Sequence, residues 1–528
     1  MAQKDGGELS TLTGVLKNAA ERYPDNDALI SSGGPQLTYA ELQSTILRTA
    51  AMLQRSGLKP GDLISLAFPN TIEFVVVFLA VIRARGVAAP LNSAYTEEEF
   101  YFYMEDAKTS LLLVPGKEGN KAAEAAADRL GLPIAGVHWE KDNTGSGNVV
   151  LLPKSRLELT SDSENLALPE PLKDDEALFL HTSGTTSRPK GVPLTQLNLA
   201  SSVLHIVEAY ELNSLDKTVV VLPLFHVHGL MCSLLSSLAA GGTVILPAAG
   251  RFSATAFWSD MKRYGATWYT AVPTIHQILL ARHKSNPESE YPHLRFIRSC
   301  SASLAPAVMT NIEEAFSAPV LEAYAMTEAS HQMTANPLPS HGPRKPGSVG
   351  KPTGIELTIL SDNGDSLPPG EVGEVCIRGP NVTKGYKNNP EANEKAFEFA
   401  WFHTGDRGYI DEDGYLHLTG RIKELINYGG EKISPMEVDA ILLAHPNVAE
   451  AVAFAAPDEK YGEVVNAAVV PNKGEQATAE SILNFCKKNL APFKVPKRLF
   501  FAEQLPRTAT GKIQRRIVAE HFLKNPKS

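Results

Sequence analysis

The chain has 528 residues, of which 43% are hydrophobic and 21% charged, and its formal net charge is −9. The length predicts two to four domains, and the composition is that of an ordinary globular protein. The negative charge and the dispersed Lys and Arg residues argue against a nucleic-acid partner. Four widely spaced cysteines without a CxxC pair disfavour a disulfide framework or structural zinc site and favour a reducing compartment.

The longest apolar run, Phe74 to Ile82, ends at Arg83 and is too short to span a bilayer, so it predicts a buried helix. The N-terminal segment does not resemble a signal peptide, and the chain ends in Pro-Lys-Ser instead of a peroxisomal Ser-Lys-Leu signal. We therefore expect a cytosolic protein without a membrane partner, as a monomer or dimer, and a peroxisomal location is disfavoured.

The first part of the chain alternates apolar strands with helices. LISLAFPN (63–70) predicts a strand, residues 71–83 a helix and VAAPLN the next strand, an order that indicates parallel sheet. The same alternation follows in TVVVLPLF (218–225, strand), GLMCSLLSSLAAGG (229–242, helix), TVILPA (strand) and ATWYTAVP (266–273, strand). These patterns predict an α/β fold with layered mixed sheets and helices.

The pattern changes near residue 350 and again after Gly420. IELTILSDNGDSLPPGEVGEVCIRGP contains short strands separated by turn residues, which predicts a small antiparallel sheet or barrel. After Gly420, a helix, two strands, a second helix and a basic tail predict a small α+β unit. We predict an N-terminal domain of residues 1–420 and a C-terminal domain of residues 421–528.

HTSGTTSRPKGV (181–192) predicts a phosphate-binding loop. The strand ALFLHTSG runs into small hydroxylated residues, Arg188 and Lys190, which can turn backbone N–H groups, hydroxyls and charge towards one anion. The usual P-loop pattern is absent. A flexible linker is the alternative, although linkers seldom follow a buried strand directly.

EAYAMTEAS (322–330) places Tyr324, Thr327 and Glu328 at a strand end. A carboxylate beside a hydroxyl suits Mg²⁺, which favours one or two carboxylates together with phosphates. The alternative is structural, with Thr327 as a helix N-cap and Glu328 in the first turn.

Two further motifs follow towards the C-terminus. In WFHTGDRGYIDEDGYLHLTGR (401–421) we place Asp406 in a turn and Arg421 at a strand end, where the carboxylate could hold ribose, while Asp411 and Asp413 belong to a hairpin turn. In LPRTATGKIQR (505–515), Lys512 lies in a glycine-containing loop, for which a solvated charged tail is the alternative.

In order and spacing, HTSGTTSRPKG, YAMTE, HTGD, GRIKELI and PRTATGK resemble the adenylate-forming superfamily of acyl-CoA synthetases, luciferases and peptide-synthetase adenylation domains. The resemblance runs from about Leu12 to Arg516. Ser187 and Ala325 stand where glycine is usual, and we expect these changes to alter loop flexibility without loss of activity.

The resemblance implies an AMP-forming acid–CoA ligase that uses ATP, Mg²⁺ and CoA. It implies a phosphate loop at Thr182, Ser183, Gly184, Thr185, Thr186 and Lys190, an α-phosphate contact at Thr327 and a Mg²⁺ ligand at Glu328. Adenine would be flanked by Ser301, Ala302, Ser303, Glu322, Ala323 and Tyr324, and ribose would be held by Asp406 and Arg421. Lys512 would be catalytic, Lys423 the hinge of a mobile C-terminal domain, and Gly429, Gly430 and Lys432 part of the thioester-forming arrangement.

The region that binds the acid in this superfamily is polar here, with His226, His228, Ser299, Ser301, His331 and Gln332. A fatty-acid or cinnamate pocket would be mainly apolar, whereas a short diacid needs donors for its second carboxylate. Ser301 and His331 suit that role, a protonated histidine would serve better still, and His226 and His228 could instead only shape the wall.

The stretch YAMTEASHQMTANPLPSHGPRKPGSVG most resembles oxalate–CoA ligases of plants and fungi, which makes oxalate the expected acid. A malonate–CoA ligase would be expected to carry an arginine where residues 301–304 lie, and none is there. The alternatives are a malonate–CoA ligase, a 4-coumarate-type ligase, a luciferase-like enzyme and a carrier-protein adenylating enzyme. A non-catalytic nucleotide sensor is a further alternative, but it should have lost Lys512 or Glu328.

Overall fold

The computed structural model describes residues 8–116, 118–141, 147–157, 168–182, 189–472, 477–508 and 512–524. Its α-helices are Leu12–Arg22, Tyr39–Arg55, Ile72–Arg83, Glu97–Ala107, Lys121–Leu130, Gln196–Ala209, Ser236–Ala239, Phe257–Tyr264, Pro273–Ser285, Pro306–Phe316, Pro390–Ala396, Pro435–Leu443, Ala479–Asn489 and Arg515–Lys524. A π-helical segment covers His228–Leu235. Short 3₁₀ helices are Glu8–Ser10, Thr327–Ala329, Glu398–Ala400, Ile422–Glu424 and Pro492–Lys494.

Two large mixed sheets form most of the molecule. The nine-stranded sheet has the spatial order Lys351–Pro352, His331–Ala335, Val320–Met326, Phe296–Ser299, Trp268–Ala271, Lys217–Val219, Thr243–Leu246, Asp27–Ser31 and Gln36–Thr38. The seven-stranded sheet has the order Gly147–Ser155, Ile134–Lys141, Leu111–Pro115, Leu63–Leu66, Val87–Pro90, Glu176–Thr182 and Lys190–Thr195. Each has a parallel centre and antiparallel edges, which confirms the expected layered α/β architecture.

Two smaller sheets follow. An antiparallel sheet contains Glu356–Leu360, Gly373–Arg378, Phe402–Ile410 and Leu416–Arg421, as the turn pattern predicts. The last sheet contains Glu431–Ile433, Ile426–Tyr428, Gly462–Pro471, Val448–Asp458 and Arg498–Phe501, and it forms its own hydrophobic core with helices Pro435–Leu443 and Ala479–Asn489.

The location of the helix Ile72–Arg83 accounts for its largely apolar sequence. Every residue of it except Glu73 is buried, and it contacts the helix Tyr39–Arg55 and strands of the seven-stranded sheet. Among the described residues, no helix is both long and apolar enough to cross a membrane.

The expected strand at residues 218–225 is wrong beyond Val219. The sheet strand is Lys217–Val219, after which the chain leaves the sheet. Asn70 replaces the lost sheet partners, since its Nδ2 donates to the Leu222 carbonyl at 2.9 Å and its Oδ1 accepts from the Leu224 N–H at 2.9 Å. An apolar run cannot reveal such a side-chain partner, and the departure carries His226 towards the site.

Candidate functional site

A cavity of about 1430 Å³ lies where the ends of the two large sheets face the last residues of the chain. The cavity lies at the ends of strands, which is where open α/β sheets usually bind their ligands. Predicted residues from every motif line the cavity: Thr182, Lys190, His226, Ser301, Thr327, Glu328, His331, Arg421, Lys423 and Lys512.

The phosphate loop is described only at its two ends, because Ser183, Gly184, Thr185, Thr186, Ser187 and Arg188 lie outside the described residues. Thr182 and Lys190 are opposite each other in antiparallel strands. Among the described residues, the buried Thr182 hydroxyl has no hydrogen-bond partner. Lys190 Nζ lies 3.8 Å from the centre of the Tyr386 ring, and burial lowers the pKa of this lysine. The loop is thus flanked by an unpaired hydroxyl and an ammonium group.

Thr327 and Glu328 follow the strand Val320–Met326 in a single 3₁₀ turn, whose N-cap residue is Met326 and not Thr327. Glu328 is 7% exposed, and its Oε1 accepts a hydrogen bond from Tyr386 Oη at 2.9 Å. One carboxylate held in place at the cavity wall fits Mg²⁺, whose remaining ligands would be phosphates and water. Tyr386, which touches both Lys190 and Glu328, was missed because nothing in KGYKN marks it as part of the site.

Asp406 lies within the strand Phe402–Ile410, so its expected location in a turn is wrong. The strand register shifts near Gly405, whose φ is +75°, and a Thr-Gly-Asp sequence fits such a bulge as well as a turn. Asp406 pairs across the strands with Arg421, whose Nε donates to Oδ1 at 3.1 Å, and Tyr324 Oη donates to Oδ2. Burial raises the pKa of the Asp406 carboxyl, and the Arg421 charge opposes that rise.

The residues next to this bulge include a potential metal-ligand group, Glu374, Cys376 and His403, whose ligand atoms lie within 4.8 Å of one another. Both His403 nitrogens already have partners, Glu374 Oε2 at 2.9 Å and the Glu398 carbonyl at 3.0 Å. Burial also raises the pKa of the Cys376 thiol. Glu374 Oε1 accepts from the Gly405 N–H at 2.9 Å, so the group supports the bulge that presents Asp406.

The residues expected around adenine divide into three environments. Ser301 lines the cavity, Ala302 and Ser303 are exposed beside it, and Glu322, Ala323 and Tyr324 are buried in their strand. Glu322 Oε1 accepts from the Leu304 N–H at 2.9 Å, while Oε2 has no partner. Burial raises the pKa of Glu322 to about 8, so this side chain is mainly a neutral acid at pH 7.

His226, Ser301 and His331 meet at one end of the cavity, with His228 buried behind them. The rings of His228 and His331 stack with centroids 4.9 Å apart, and His228 Nδ1 lies 2.9 Å from Ser301 Oγ. Ser301 and His331 have φ values of +76° and +99°, a rare left-handed conformation for such residues that is enriched at functional sites.

Burial lowers the pKa of His226, His228 and His331 well below the usual histidine value, and neighbouring cationic groups including Lys512 add to this effect. This environment disfavours the protonated histidine that the sequence suggested for this end of the cavity. These rings act as neutral hydrogen-bonding groups.

Lys512 reaches the same end of the cavity from the C-terminal unit. Its main chain is fixed by Thr508, whose N–H donates to the Lys512 carbonyl at 2.8 Å. Burial, reinforced by the Arg421 charge, lowers the pKa of Lys512 to about 8. The alternative of a solvated charged tail is wrong for this residue.

Gly429 and Gly430 form the tip of the hairpin between Ile426–Tyr428 and Glu431–Ile433, with φ values of +57° and +99°. Neither glycine lines the cavity, nor does the exposed Lys432. In this arrangement Lys512 faces the site and the glycine hairpin does not.

Arg298 is a buried residue of the site that sequence reasoning missed. It lies on the strand Phe296–Ser299 with 0% exposure and contacts His228, Thr270, Tyr210 and Gln332. The sequence contained a signal, since Arg298 directly follows the apolar residues Phe296 and Ile297 and lies three residues before Ser301.

Comparisons with known proteins agree with this geometry. Residues 16–387 match the AMP-binding enzyme family, and residues 437–512 match the AMP-binding enzyme C-terminal domain. The oxalate–CoA ligase of Arabidopsis thaliana is 63% identical over 520 residues, covering 98% of this chain and 100% of that protein. The oxalate–CoA ligase of Saccharomyces cerevisiae is 48% identical over 536 residues, covering 97% and 96%.

Among solved structures, ATP-bound MatB from Rhodopseudomonas palustris is similar with a TM-score of 0.86 and 32% identity, covering 98% of this chain and 100% of that one. The fold and the superfamily expected from the motifs are confirmed. The chain belongs to the family of AMP-binding enzymes.

Proposed function

We propose that this chain is an AMP-forming oxalate–CoA ligase. It joins oxalate to AMP with release of diphosphate, and then transfers the oxalyl group to the sulfur of CoA with release of AMP. The polar end of the cavity, formed by His226, Ser301 and His331 beside Lys512, carries the proposal. The two similar proteins that are named oxalate–CoA ligases support the choice of acid.

The first half-reaction brings a carboxylate oxygen of the acid to the α-phosphorus of ATP. Both are anionic, so catalysis depends on positioning and positive charge. Lys512 is at the acid end of the cavity, by which we mean the end formed by His226, Ser301 and His331. It would bridge the carboxylate and the α-phosphate. Thr327 would contact the α-phosphate, while Thr182, Lys190 and the loop between them would hold the outgoing diphosphate.

Glu328 would hold Mg²⁺, which when bound neutralises phosphate charge. Asp406 would accept hydrogen bonds from the ribose hydroxyls, with Arg421 and Tyr324 fixing its orientation. Ser301, Ala302 and Ser303 would contact adenine from the cavity side, with Glu322, Ala323 and Tyr324 forming the strand behind them.

The second half-reaction needs a different set of residues at the cavity. We infer that residues 421–528 form a domain that rotates about Lys423 relative to residues 1–420. The rotation would withdraw Lys512 and bring in the hairpin of Gly429, Gly430 and Lys432. Glycines would leave room for the narrow pantetheine arm of CoA.

The acid end explains the preference for a small diacid over an apolar one. An aliphatic or aromatic tail would leave the cavity-facing proton of Ser301 unused, together with His331 Nε2, which has no hydrogen-bond partner among the described residues, and unpaired buried polar groups are costly. A second carboxylate supplies acceptors for them.

The test is pyrophosphate release that depends on ATP and CoA, measured with oxalate, malonate, acetate, 4-coumarate and octanoate. We expect the highest kcat/KM with oxalate. A higher value with another acid, with oxalate inactive, would overturn the substrate assignment, and no activity with any acid would overturn the ligase assignment.

We also propose a cytosolic location. All four cysteines are free and buried, which fits a reducing compartment. Fractionation of the source cells should place the protein with cytosolic markers, and co-sedimentation with peroxisomal markers would contradict this.

A further inference from the structure

Arg298 carries a full positive charge in the core of the protein. The guanidinium stays protonated at any pH at which the protein is folded. A buried charge is costly unless an opposite charge compensates it. Within the part of the chain that the structure describes, no carboxylate forms an ion pair with Arg298.

The hydrogen bonds of Arg298 are with neutral groups. Nε donates to Tyr210 Oη at 2.8 Å, Nη1 lies 3.1 Å from His228 Nε2 and 3.2 Å from Thr270 Oγ1, and Nη2 donates to Gln332 Oε1 at 3.0 Å. Burial raises the pKa of Tyr210, and the thiol of the nearby Cys232 has a pKa of about 11. The protein thus leaves this charge without an anion.

The contact of Arg298 with His228 determines the hydrogen bonding of the Ser301 hydroxyl. A guanidinium can only donate, so His228 Nε2 accepts from Arg298 Nη1. The Thr270 hydroxyl, which lies 2.6 Å from Nε2 and itself accepts from Nη1, then donates its proton to Nε2, and the single proton of the neutral ring is on Nδ1. Nδ1–H then donates to Ser301 Oγ over 2.9 Å. The hydroxyl proton of Ser301 is left free to point to the cavity that Ser301 lines.

The uncompensated charge of Arg298 and the free hydroxyl proton of Ser301 both favour an acid with a second negative charge. The Ser301 hydroxyl is presented as a donor, and the guanidinium charge acts on the cavity through the stacked rings of His228 and His331. A monocarboxylic acid, whose single charge is beside Lys512, would leave the Arg298 charge uncompensated.

We propose that Arg298 is a positioning residue that selects dianionic acids by holding His228 in the tautomer that turns the Ser301 hydroxyl towards the second carboxylate. This inference rests on the proposed oxalate activity. It adds a specificity determinant that does not itself touch the substrate.

The test compares Arg298→Met with the parent enzyme in pyrophosphate release. We expect KM for oxalate to rise about 10- to 100-fold, the range for losing a charge-assisted hydrogen bond, with KM for ATP nearly unchanged. Arg298→Lys retains a charged donor and should recover much of the loss. The matched control is Arg83→Met, because Arg83 is also buried but donates to the Pro169 carbonyl at 2.9 Å, away from the cavity.

A double-mutant cycle tests the route through Ser301. If Arg298 acts on oxalate through this hydroxyl, Arg298→Met combined with Ser301→Ala should lose little more than the worse single variant. If the fold-losses of the two single variants instead multiply in the double variant, the action of Arg298 through Ser301 is overturned. Should Arg298→Met fail to fold, Arg298→Gln and Arg298→Lys give the same comparison, and equal KM values for oxalate would overturn the role of charge.

The outcomes separate the two proposals. If the parent enzyme does not activate oxalate, the proposed function fails. If the parent enzyme activates oxalate and Arg298→Met keeps its KM, the function stands and only this inference is overturned.

Discussion

Lys512 and Arg298 approach the acid end of the cavity from different parts of the chain, and both are cations among neutral histidines. The low pKa values of His226, His228 and His331 mean that these rings contribute hydrogen bonds and shape without charge. In the proposed function, the attraction for an anionic acid would therefore come from a lysine at the cavity and an arginine behind its wall. The two cations would have separate tasks, since Lys512 lines the cavity and Arg298 is buried behind it.

Replacing Lys512 by Ala should abolish adenylation while sparing thioester formation from a supplied acyl-adenylate. One preorganised contact to developing charge is worth about 10²–10³ in rate. ATP–pyrophosphate exchange measures the first half-reaction, and Lys524→Ala is the control because Lys524 is an exposed lysine of the following helix. Normal exchange in Lys512→Ala would contradict the assignment.

The assigned role of Lys512 also predicts that activity depends on pH. The charged form is active and burial lowers its pKa to about 8, so kcat/KM for the acid should fall as the pH rises above about 8. A profile that stays flat to pH 10 would show that the charge of Lys512 is not used.

At the scale of elements, the segment His228–Leu235 shows how tightly the acid end is built. A Cβ on Gly229 would lie 2.5 Å from the Pro223 carbonyl oxygen and 2.9 Å from that of Leu222. These are main-chain atoms of the loop that carries His226, so they cannot move without moving the site. Glycine is needed here for close approach and not for an unusual φ.

Gly229→Ala should therefore separate this helix from the loop, displacing His226 and His228 together. We expect a loss of about 1–3 kcal/mol in the free energy of unfolding, as for other overpacked sites, and a rise in KM for oxalate. Denaturant unfolding and steady-state kinetics measure the two effects. Gly34→Ala is the control, since its Cβ would meet the Ser31 side chain at 3.1 Å and would lie 3.6 Å, an ordinary contact distance, from the nearest main-chain atom. Unchanged kinetics in Gly229→Ala would refute the idea.

The whole molecule joins three separate parts at one cavity: the carboxyl ends of two large sheets, the paired strands of Asp406 and Arg421, and the C-terminal loop of Lys512. The arrangement presents Lys512 to the cavity and keeps the Gly429–Gly430 turn outside it. It thus holds the residues to which we assign adenylation at the cavity, and the proposed thioester formation requires the second arrangement.

Gly430→Leu should block thioester formation and leave adenylation intact, because the bulky side chain would stand in the path of pantetheine. The matched control is Gly414→Leu. Both glycines are at hairpin tips with positive φ, and a Cβ added at either would meet open space, so the backbone strain is similar. The two half-reactions are measured separately. An equal loss in both for Gly430→Leu, or an equal effect of Gly414→Leu, would contradict the assignment.

The sequence by itself determined the family, the α/β sheets, the small antiparallel sheet and ten of the residues that line the cavity, because these depend on local motifs and on hydrophobic periodicity. The tertiary structure decided the rest. Asp406 is in a bulge because of its neighbours in the sheet, and the strand after Val219 ends because Asn70 supplies other hydrogen bonds. Tyr386 and Arg298 join the site through contacts with residues that are distant in sequence. No local pattern predicts burial, and burial favours the neutral form of the histidines and leaves the charge of Arg298 uncompensated.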